Sequence, residues 1–191
     1  MRSANILVAA LSAAPLVVSA AGTLGFALGM QNPDQSCKST SDYEADFAAL
    51  KDYTKLVRVY SSSQCNQAQN ILPAAKKAGF QVLLGVWLVH QSPDGQIYSN
   101  PDLVRPDTDE SFNNDTAALQ ASVPGYEAQV FGITVGSEAL YRGSLTATQL
   151  LSKIQEVESM FPNLTIGTAD SWNKYADGTA DPLIKGGVKL L

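Results

Sequence analysis

Short apolar runs alternate with amphipathic stretches along this chain, and the alternation predicts repeated βα units. The apolar runs are nearly continuous, which is typical of strands in a parallel sheet that is covered on both faces. The pattern therefore predicts five strands and the first residues of a sixth, at 24–29, 56–60, 81–87, 130–135, 164–169 and 188–191.

The first predicted helix has a recognisable start and an apolar face. Ser41 is expected to be its N-cap, and Glu44 completes a capping box three residues later. Tyr43, Phe47 and Leu50 then fall at helical spacing. These three side chains are expected to share the face that packs on the sheet.

The next two helices are marked by their flanking residues. One is predicted over 66–78, where Gly79 is placed to end the helix and Pro73 marks a kink or a start. The stretch 88–110 contains prolines, an Asp-Gly turn and little periodicity, so it predicts a long loop. A helix near 112–123 is expected to follow that loop.

The last predicted helices lie on either side of the fifth strand. Thr146 and Gln149 form a second capping box, and the apolar spacing that follows continues until Pro162. A shorter helix is expected near 182–185. Two architectures fit this order of elements: an open doubly wound sheet and part of a (β/α)8 TIM barrel.

Each architecture meets one difficulty. No Gly-rich phosphate loop follows any predicted strand, so the nucleotide-binding form of the open sheet lacks its usual support. A complete barrel needs about 250 residues, whereas this chain has 191. The pattern alone leaves both architectures open.

The N-terminus has the pattern of a secretory signal peptide. A basic residue at position 2 precedes the apolar run 6–18, and small residues follow, so cleavage is expected near Ala20 or Ala21. This division gives a signal peptide over 1–21 and one mature domain over 22–191. No later apolar run approaches the ~18 residues of a membrane span, so none is predicted.

Charge and cysteine content narrow the classes of partner. The chain has 13 basic and 18 acidic residues and no basic stripe, which disfavours nucleic acid and anionic membranes as partners. In an oxidising compartment, Cys37 and Cys65 are expected to form a disulfide. These cysteines and His90 lack metal-ligand spacing, so no metal is predicted. Asn114 and Asn163 begin N-glycosylation sequons and mark expected surface positions.

Candidate chemistry gathers where predicted strands end. The carboxyl ends of parallel strands meet on one face, which selects Tyr60, Ser61, Trp87, Ser137, Glu138, Asp170, Ser171 and Trp172. Two carboxylates and two indoles on one rim suit a sugar. Taken singly, Glu138 is equally well read as a solvated carboxylate near a helix start, and Asp170 as a turn cap. Arg58, inside a strand, requires a partner or a wet face.

Six segments, which follow one another along the chain, favour the functional interpretation of these residues. They are LGFALG at 24–29, CKSTSDYEADFAALK at 37–51, VRVYSSSQCN at 57–66, GVW at 85–87, VGSEALYR at 135–142 and GTADSWN at 167–173. Together they resemble fungal cell-wall members of glycoside hydrolase family 17, the β-1,3-glucanases and glucanosyltransferases. The resemblance implies an incomplete (β/α)8 barrel, strands 1 to 5 and the start of strand 6, that acts on β-1,3-glucan without cofactor.

The resemblance also implies roles for individual residues. Glu138, which follows strand 4 in the matched motif, is expected to be the general acid/base of a retaining mechanism. Ser137, Tyr60, Trp87, Asp170 and Trp172 are expected to contact substrate. The nucleophile motif that ends strand 7 in the family is absent, although retention needs two carboxyl groups about 5 to 5.5 Å apart.

Two functional hypotheses remain at this point. The first is the N-terminal part of a β-1,3-glucan hydrolase or transglycosylase, secreted to the cell wall, whose chain ends inside a predicted strand and is inactive alone. The second is a noncatalytic β-glucan-binding or wall-structural protein. Exo versus endo attack and hydrolysis versus transfer are left open.

Overall fold

The computed structural model describes residues 25–88 and 107–190. The expected signal peptide, His90 and most of the predicted long loop lie outside the described residues. The described part forms one sheet of five parallel strands in the order β1-β2-β3-β4-β5. These strands are β1 (Gly25–Ala27), β2 (Leu56–Arg58), β3 (Gln81–Val86), β4 (Val130–Ser137) and β5 (Ile166–Ala169).

Six α-helices accompany the strands in the described part of the chain. They are α1 (Thr40–Leu50), α2 (Gln67–Ala78), α3 (Asp107–Ser122), α4 (Ala147–Met160), α5 (Trp172–Ala176) and α6 (Asp181–Lys185). Each strand pairs with the next along the chain, whereas a doubly wound sheet reverses its order at a switch point. The consecutive order is that of a barrel opened along one side, so the expected incomplete barrel is confirmed.

The beginning of a sixth strand is also present. Leu190 pairs with Gly167 of β5 in a parallel bridge, and Thr168 N donates to Leu190 O at 2.9 Å. A side chain at position 167 would overlap this approaching backbone, because a Cβ built there would lie 1.8 Å from Leu190 O. Glycine at this position therefore permits the sixth strand to pair.

The core lies between the sheet and the helices. Val57 of β2 and Val59 just after it alternate with more exposed neighbours, and both are fully buried. Tyr43 and Phe47 of α1 are also fully buried, and Phe47 stacks on Phe80 with ring centroids 4.5 Å apart. Burial of this kind stabilises each large apolar side chain by about 1.5–3 kcal/mol.

The predicted start of α1 was wrong by two residues. Ser39, not Ser41, is the N-cap: its side chain accepts from Asp42 N, and the Asp42 carboxylate accepts from Ser39 N at 2.8 Å. Ser39 with Asp42 and Ser41 with Glu44 both have the spacing of a capping box. The helix begins after the earlier serine. Glu44 instead forms an ion pair with Lys77 of α2.

The other helix boundaries give a mixed result. The capping box of Thr146 and Gln149 is confirmed at α4, and Gly79 ends α2 in the left-handed region at φ 68°. Pro73 lies inside α2 rather than at its start. The expected helix at 112–123 begins earlier, at Asp107, so the predicted loop is shorter than expected.

The expected disulfide is present. Cys37 and Cys65 are bonded with their Cα atoms 5.2 Å apart. The bond joins the connection before α1 to the short turn before α2. Cys65 and Asn66 both have positive φ, at 53° and 51°, so the disulfide fixes a turn that L-residues rarely adopt.

The two sequons lie on different kinds of surface. Asn114 is exposed in the middle of α3, while Asn163 is exposed in the turn between α4 and β5. Glycosylation at either position stays a prediction. No helix within residues 25–88 and 107–190 is long and apolar enough to cross a membrane.

Candidate active site

A hollow of about 310 Å³ lies at the carboxyl ends of β2 to β5. Its walls are formed by Arg58, Tyr60, Trp87, Ser137, Glu138, Arg142, Ala169 and Asp170. Five of the six residues expected to act or bind there are therefore together. Trp172, the sixth, begins α5 beyond this hollow, and 79% of it is exposed.

Glu138 leaves the sheet through an unusual backbone conformation. Its φ is 56°, and Gly136 two residues earlier has φ 78°. The register between β4 and β5 shifts over the same residues, from Thr134 to Ser137. Glu138 N still donates to Ala169 O at 2.8 Å. The backbone is held to β5, while the exposed Glu138 residue lies at the hollow.

Asp170 supports this conformation. Its two carboxylate oxygens accept hydrogen bonds from Leu140 N at 2.7 Å and Tyr141 N at 3.0 Å. One of them also accepts from Ser171 N at 2.8 Å. A left-handed non-glycine residue costs about 1–3 kcal/mol, and hydrogen bonds to a charged group offset about 1.5–3 kcal/mol each. Asp170 thus fixes the turn that presents Glu138.

Arg58, the last residue of β2, reaches Ser137 at the end of β4. Its guanidinium lies 4.7 Å from the Tyr60 ring centroid, and one Nη donates to Ser137 Oγ at 3.3 Å. Arg58 Nε is buried, with no hydrogen-bond partner in the described part of the chain. Arg58 therefore has the partner that its position in a strand required, Ser137. Its Nε–H group remains without an acceptor in the described part of the chain.

Arg142 contacts the Trp87 side of the same hollow. Its guanidinium lies 4.9 Å from the Trp87 ring centroid and donates to the carbonyl oxygen of Ser137. Trp87 in turn meets Tyr60 edge to face, with centroids 6.0 Å apart. Two arginines and two aromatic rings thus form one continuous wall. Sequence reasoning missed Arg142, although it lies four residues after Glu138 in the same motif.

Asp115 of α3 anchors the loops beneath this wall. It is 1% exposed, and Oδ1 accepts from Ser61 Oγ (2.8 Å), Ser62 N (2.9 Å) and both N and Oγ of Ser63 (2.7 and 2.6 Å). Oδ2 accepts from Trp87 N at 2.6 Å. One buried carboxylate therefore fixes the ends of both β2 and β3. Nothing in the sequence pattern marks this role beyond the polarity of Asp115.

The described residues contain no group of three or more His, Cys, Asp or Glu side chains that could hold a metal ion. The hollow itself offers two carboxyl groups, two guanidinium groups, a serine hydroxyl and two aromatic rings. Consecutive parallel βα units with such a carboxylate and aromatic wall at the carboxyl ends of the strands define part of a glycoside hydrolase barrel.

Comparison with known proteins agrees with this class. Residues 25–186 match the family model described as the BtgE/BtgC glycoside hydrolase domain. The chain therefore belongs to that family, and the resemblance to glycoside hydrolase family 17 is confirmed. A glucan 1,3-beta-glucosidase of Arthroderma benhamiae is 51% identical over 191 residues, which cover 100% of this chain and 56% of the relative.

Other relatives extend the comparison. A glucan 1,3-beta-glucosidase of Saccharomyces cerevisiae is 41% identical over 88% of this chain and 52% of its own length. The crystal structure of a family 17 beta-1,3-glucanosyltransferase from Rhizomucor miehei matches with a TM-score of 0.65 and 30% identity, covering 84% of this chain and 54% of that one. The chain spans about half the length of the curated relatives that it matches.

Proposed function

We propose that this chain carries the acid/base half of a retaining glycoside hydrolase or transglycosylase that acts on β-1,3-glucan in the fungal cell wall. The observation that carries the proposal is Glu138, an exposed carboxylate at the end of β4 beside an aromatic wall. Support comes from the relatives named glucan 1,3-beta-glucosidase. The Rhizomucor miehei transferase, solved with laminaritriose, adds a bound β-1,3-glucan fragment in a related fold.

Glu138 would act twice in such a reaction. It first gives its proton to the glycosidic oxygen while the bond from that oxygen to the anomeric carbon breaks and a second carboxylate attacks the carbon. It then removes a proton from the water or sugar hydroxyl that displaces the second carboxylate. Hydrolysis and transfer differ only in that acceptor.

The second carboxylate is the component that the described residues lack. Asp170 is the other acid of the hollow, and both of its oxygens already accept backbone N–H groups. A nucleophile must therefore come from a segment outside the described residues. We expect the 191-residue chain alone to have little or no turnover.

The wall residues have separate roles in this proposal. Trp87 and Tyr60 offer aromatic faces to pyranose rings, and the exposed Trp172 extends that surface beyond the hollow. Ser137 Oγ, which accepts from Arg58, can donate its own proton to a sugar oxygen. Arg58 lines the same hollow, so its guanidinium charge would favour a second carboxylate there.

The test uses a chimera in which the C-terminal half of the Arthroderma benhamiae relative completes this chain. We expect turnover of laminarin by the chimera and none by the chain alone. Glu138→Ala in the chimera should lower turnover by about 10²–10⁴-fold. With a substrate whose leaving group needs no protonation, added azide should restore turnover and give a β-glycosyl azide.

A chimera that is active and indifferent to Glu138→Ala would refute the acid/base role. A folded but inactive chimera would instead favour the second candidate, a noncatalytic β-glucan-binding or wall-structural protein. The observation favouring that candidate is a complete aromatic wall without a free second carboxylate in the described part. It requires that laminaritriose binds the chain alone and that Glu138→Gln leaves the affinity unchanged.

Secretion is part of the same proposal. The fungal relatives act on glucan by name, the disulfide joins Cys37 to Cys65, and disulfides persist mainly in oxidising compartments. We expect the chain to enter the secretory pathway and to reach the cell wall. Fractionation of a fungal culture that expresses the tagged chain would test this location.

A further inference from the structure

A second hollow, of about 320 Å³, lies at the opposite end of the sheet from the candidate active site. It is bordered by the end of α3 and by the turn that joins α4 to β5. Its walls are mainly apolar and include Val123, Pro124, Met160, Phe161, Pro162 and Leu164. An apolar recess at the surface of a secreted protein leaves hydrophobic area in contact with water unless something covers it.

Asn163 stands at the lip of this hollow. It occupies the third position of a turn in which Leu164 N donates to Phe161 O at 3.1 Å, and Pro162 takes the second position that proline favours. Asn163 and Thr165 are both exposed. A group attached to the Asn163 amide therefore has space in the folded protein and begins beside the apolar recess.

Phe161 is arranged to meet such a group. It precedes Asn163 by two residues in the same turn, is partly buried against the core, and lines the same hollow. An N-acetylglucosamine residue presents an apolar C–H face and an acetyl methyl group. Aromatic ring faces attract such positively polarised C–H groups, and burying them together removes apolar area from water.

The other sequon lacks this setting. Asn114 projects from the middle of α3, where Thr116 of the same sequon is buried and donates to Phe112 O at 2.8 Å. Asn114 does not line the apolar hollow. It serves as an internal control, because a sugar attached there would not reach the recess from the same turn.

We propose that Asn163 is N-glycosylated and that its first N-acetylglucosamine packs on Phe161 and Met160 and covers the apolar hollow. The proposal depends on the secretory route included in the proposed function, but not on any catalytic role. The chain thus provides the surface that the sugar packs on. This surface consists of a turn that presents the amide, an aromatic side chain two residues earlier, and a recess beside both.

The full chain, secreted from yeast, allows a direct test. One endoglycosidase (Endo H) trims each N-glycan to its first N-acetylglucosamine, whereas the amidase PNGase F removes the whole glycan. Hydrogen peroxide then oxidises Met160 at a rate set by its exposure, read by peptide mass spectrometry. We expect equal Met160 rates before and after trimming, and a rate at least about twofold higher after complete removal.

Met30, far along the chain from this hollow, is the internal reference and should oxidise at one rate in all three forms. Complete removal also converts Asn163 to aspartate, so a matched pair of variants is needed. Thr165→Ser keeps the sequon, and Thr165→Val destroys it without adding charge. Met160 should be protected in the first variant and oxidised faster in the second.

Two results would overturn the proposal. One is an unmodified Asn163 in the secreted chain, read from its glycopeptide. The other is an oxidation rate of Met160 that stays the same when the first sugar is removed. Phe161→Leu, which keeps an apolar side chain but not the ring, should abolish most of the protection while Asn163 stays occupied. Protection that survives this change would remove Phe161 from the contact and contradict the stated packing.

Discussion

Replacing Asp115 is expected to loosen the aromatic wall of the candidate active site, because Asp115 holds the backbone that carries the wall and not the rings themselves. The Asp115 carboxylate is 1% exposed and holds the ends of β2 and β3 through contacts to Ser61, Ser62, Ser63 and Trp87. In Asp115→Asn one oxygen becomes an NH₂ group that accepts nothing. If the remaining oxygen stays with the serines, Trp87 N–H loses its acceptor.

The magnitude follows from that single loss. A buried donor left without a partner costs about 1–3 kcal/mol, and bonds to charged groups lie at the upper end of that range. We expect Asp115→Asn to lower the free energy of unfolding by about 2–3 kcal/mol. Asp115→Ala leaves three backbone N–H groups unpaired and should cost about 3–5 kcal/mol, a large part of a typical domain's stability.

Asp109→Asn is the matched control on the same helix. Asp109 pairs with Lys153 at 2.7 Å, but its side chain is 65% exposed, so its loss should cost less than about 1 kcal/mol. The assay is urea unfolding followed by circular dichroism, in an Asn114→Gln background that removes the neighbouring sequon. An unchanged m-value shows that stability rather than compactness has changed.

The local effect is read from Trp87. In a Trp172→Phe background, Trp87 is the remaining tryptophan, because the chain has two. Its emission should shift to the red in Asp115→Asn under native conditions. Equal costs for Asp115→Asn and Asp109→Asn, together with an unshifted Trp87 spectrum, would refute the anchoring role.

Three further outcomes are expected. Replacing Cys37 and Cys65 by serine should lower the free energy of unfolding by about 3–4 kcal/mol, the chain-entropy value for a loop of this length, measured by urea unfolding. Arg142→Lys keeps the charge but loses the planar contact with Trp87 and should weaken laminaritriose binding about threefold or more by calorimetry. The free energy of unfolding should fall as the pH drops below about 4, because hydrogen bonds from the Ser39 backbone and side chain hold the pKa of Asp42 below its ordinary value.

Each of these has a contrary result. Equal stability of the serine variants and of the parent would show that the disulfide constrains nothing in the unfolded chain. Arg142→Lys with unchanged affinity would leave Arg142 with a purely electrostatic role. For the pH effect the direction of the change in stability is fixed. Because the pKa of Asp42 is lower in the folded chain, the unfolded chain binds more protons at Asp42 and is favoured as the pH falls. Asp42→Asn should therefore flatten the slope below about pH 4, and an unchanged slope contradicts the assignment.

The strand pattern was readable from the sequence because buried parallel strands are apolar at nearly every position. All five strands and the start of the sixth were predicted, with ends that differ from the structure by a few residues. The choice of N-cap failed because Ser39 and Ser41 begin overlapping patterns and only packing separates them. Helix α5 was missed because its five residues are too few to show a period, whereas the equally short α6 begins beside Pro182.

The candidate site was readable only in part. Strand ends and family resemblance identified Glu138 and its aromatic neighbours. They did not identify Arg142 or Asp115, since each acts through partners that only folding brings near. Asp115, for example, bonds to residues 28 to 54 positions away. The positive φ of Glu138 is equally hidden, because it results from the turn and not from the residue type.

Three carboxylates at or beneath the hollow, Asp115, Asp170 and Glu138, differ in what their side chains bond to. Asp115 and Asp170 both accept backbone N–H groups, so their charges are used to hold loops in place. Glu138 has its backbone fixed to β5 and its residue exposed at the hollow. Asp170 thus holds the turn in which Glu138 has its positive φ, Asp115 holds the loops of the aromatic wall, and Glu138 is left exposed at the hollow, as the proposed acid/base role requires.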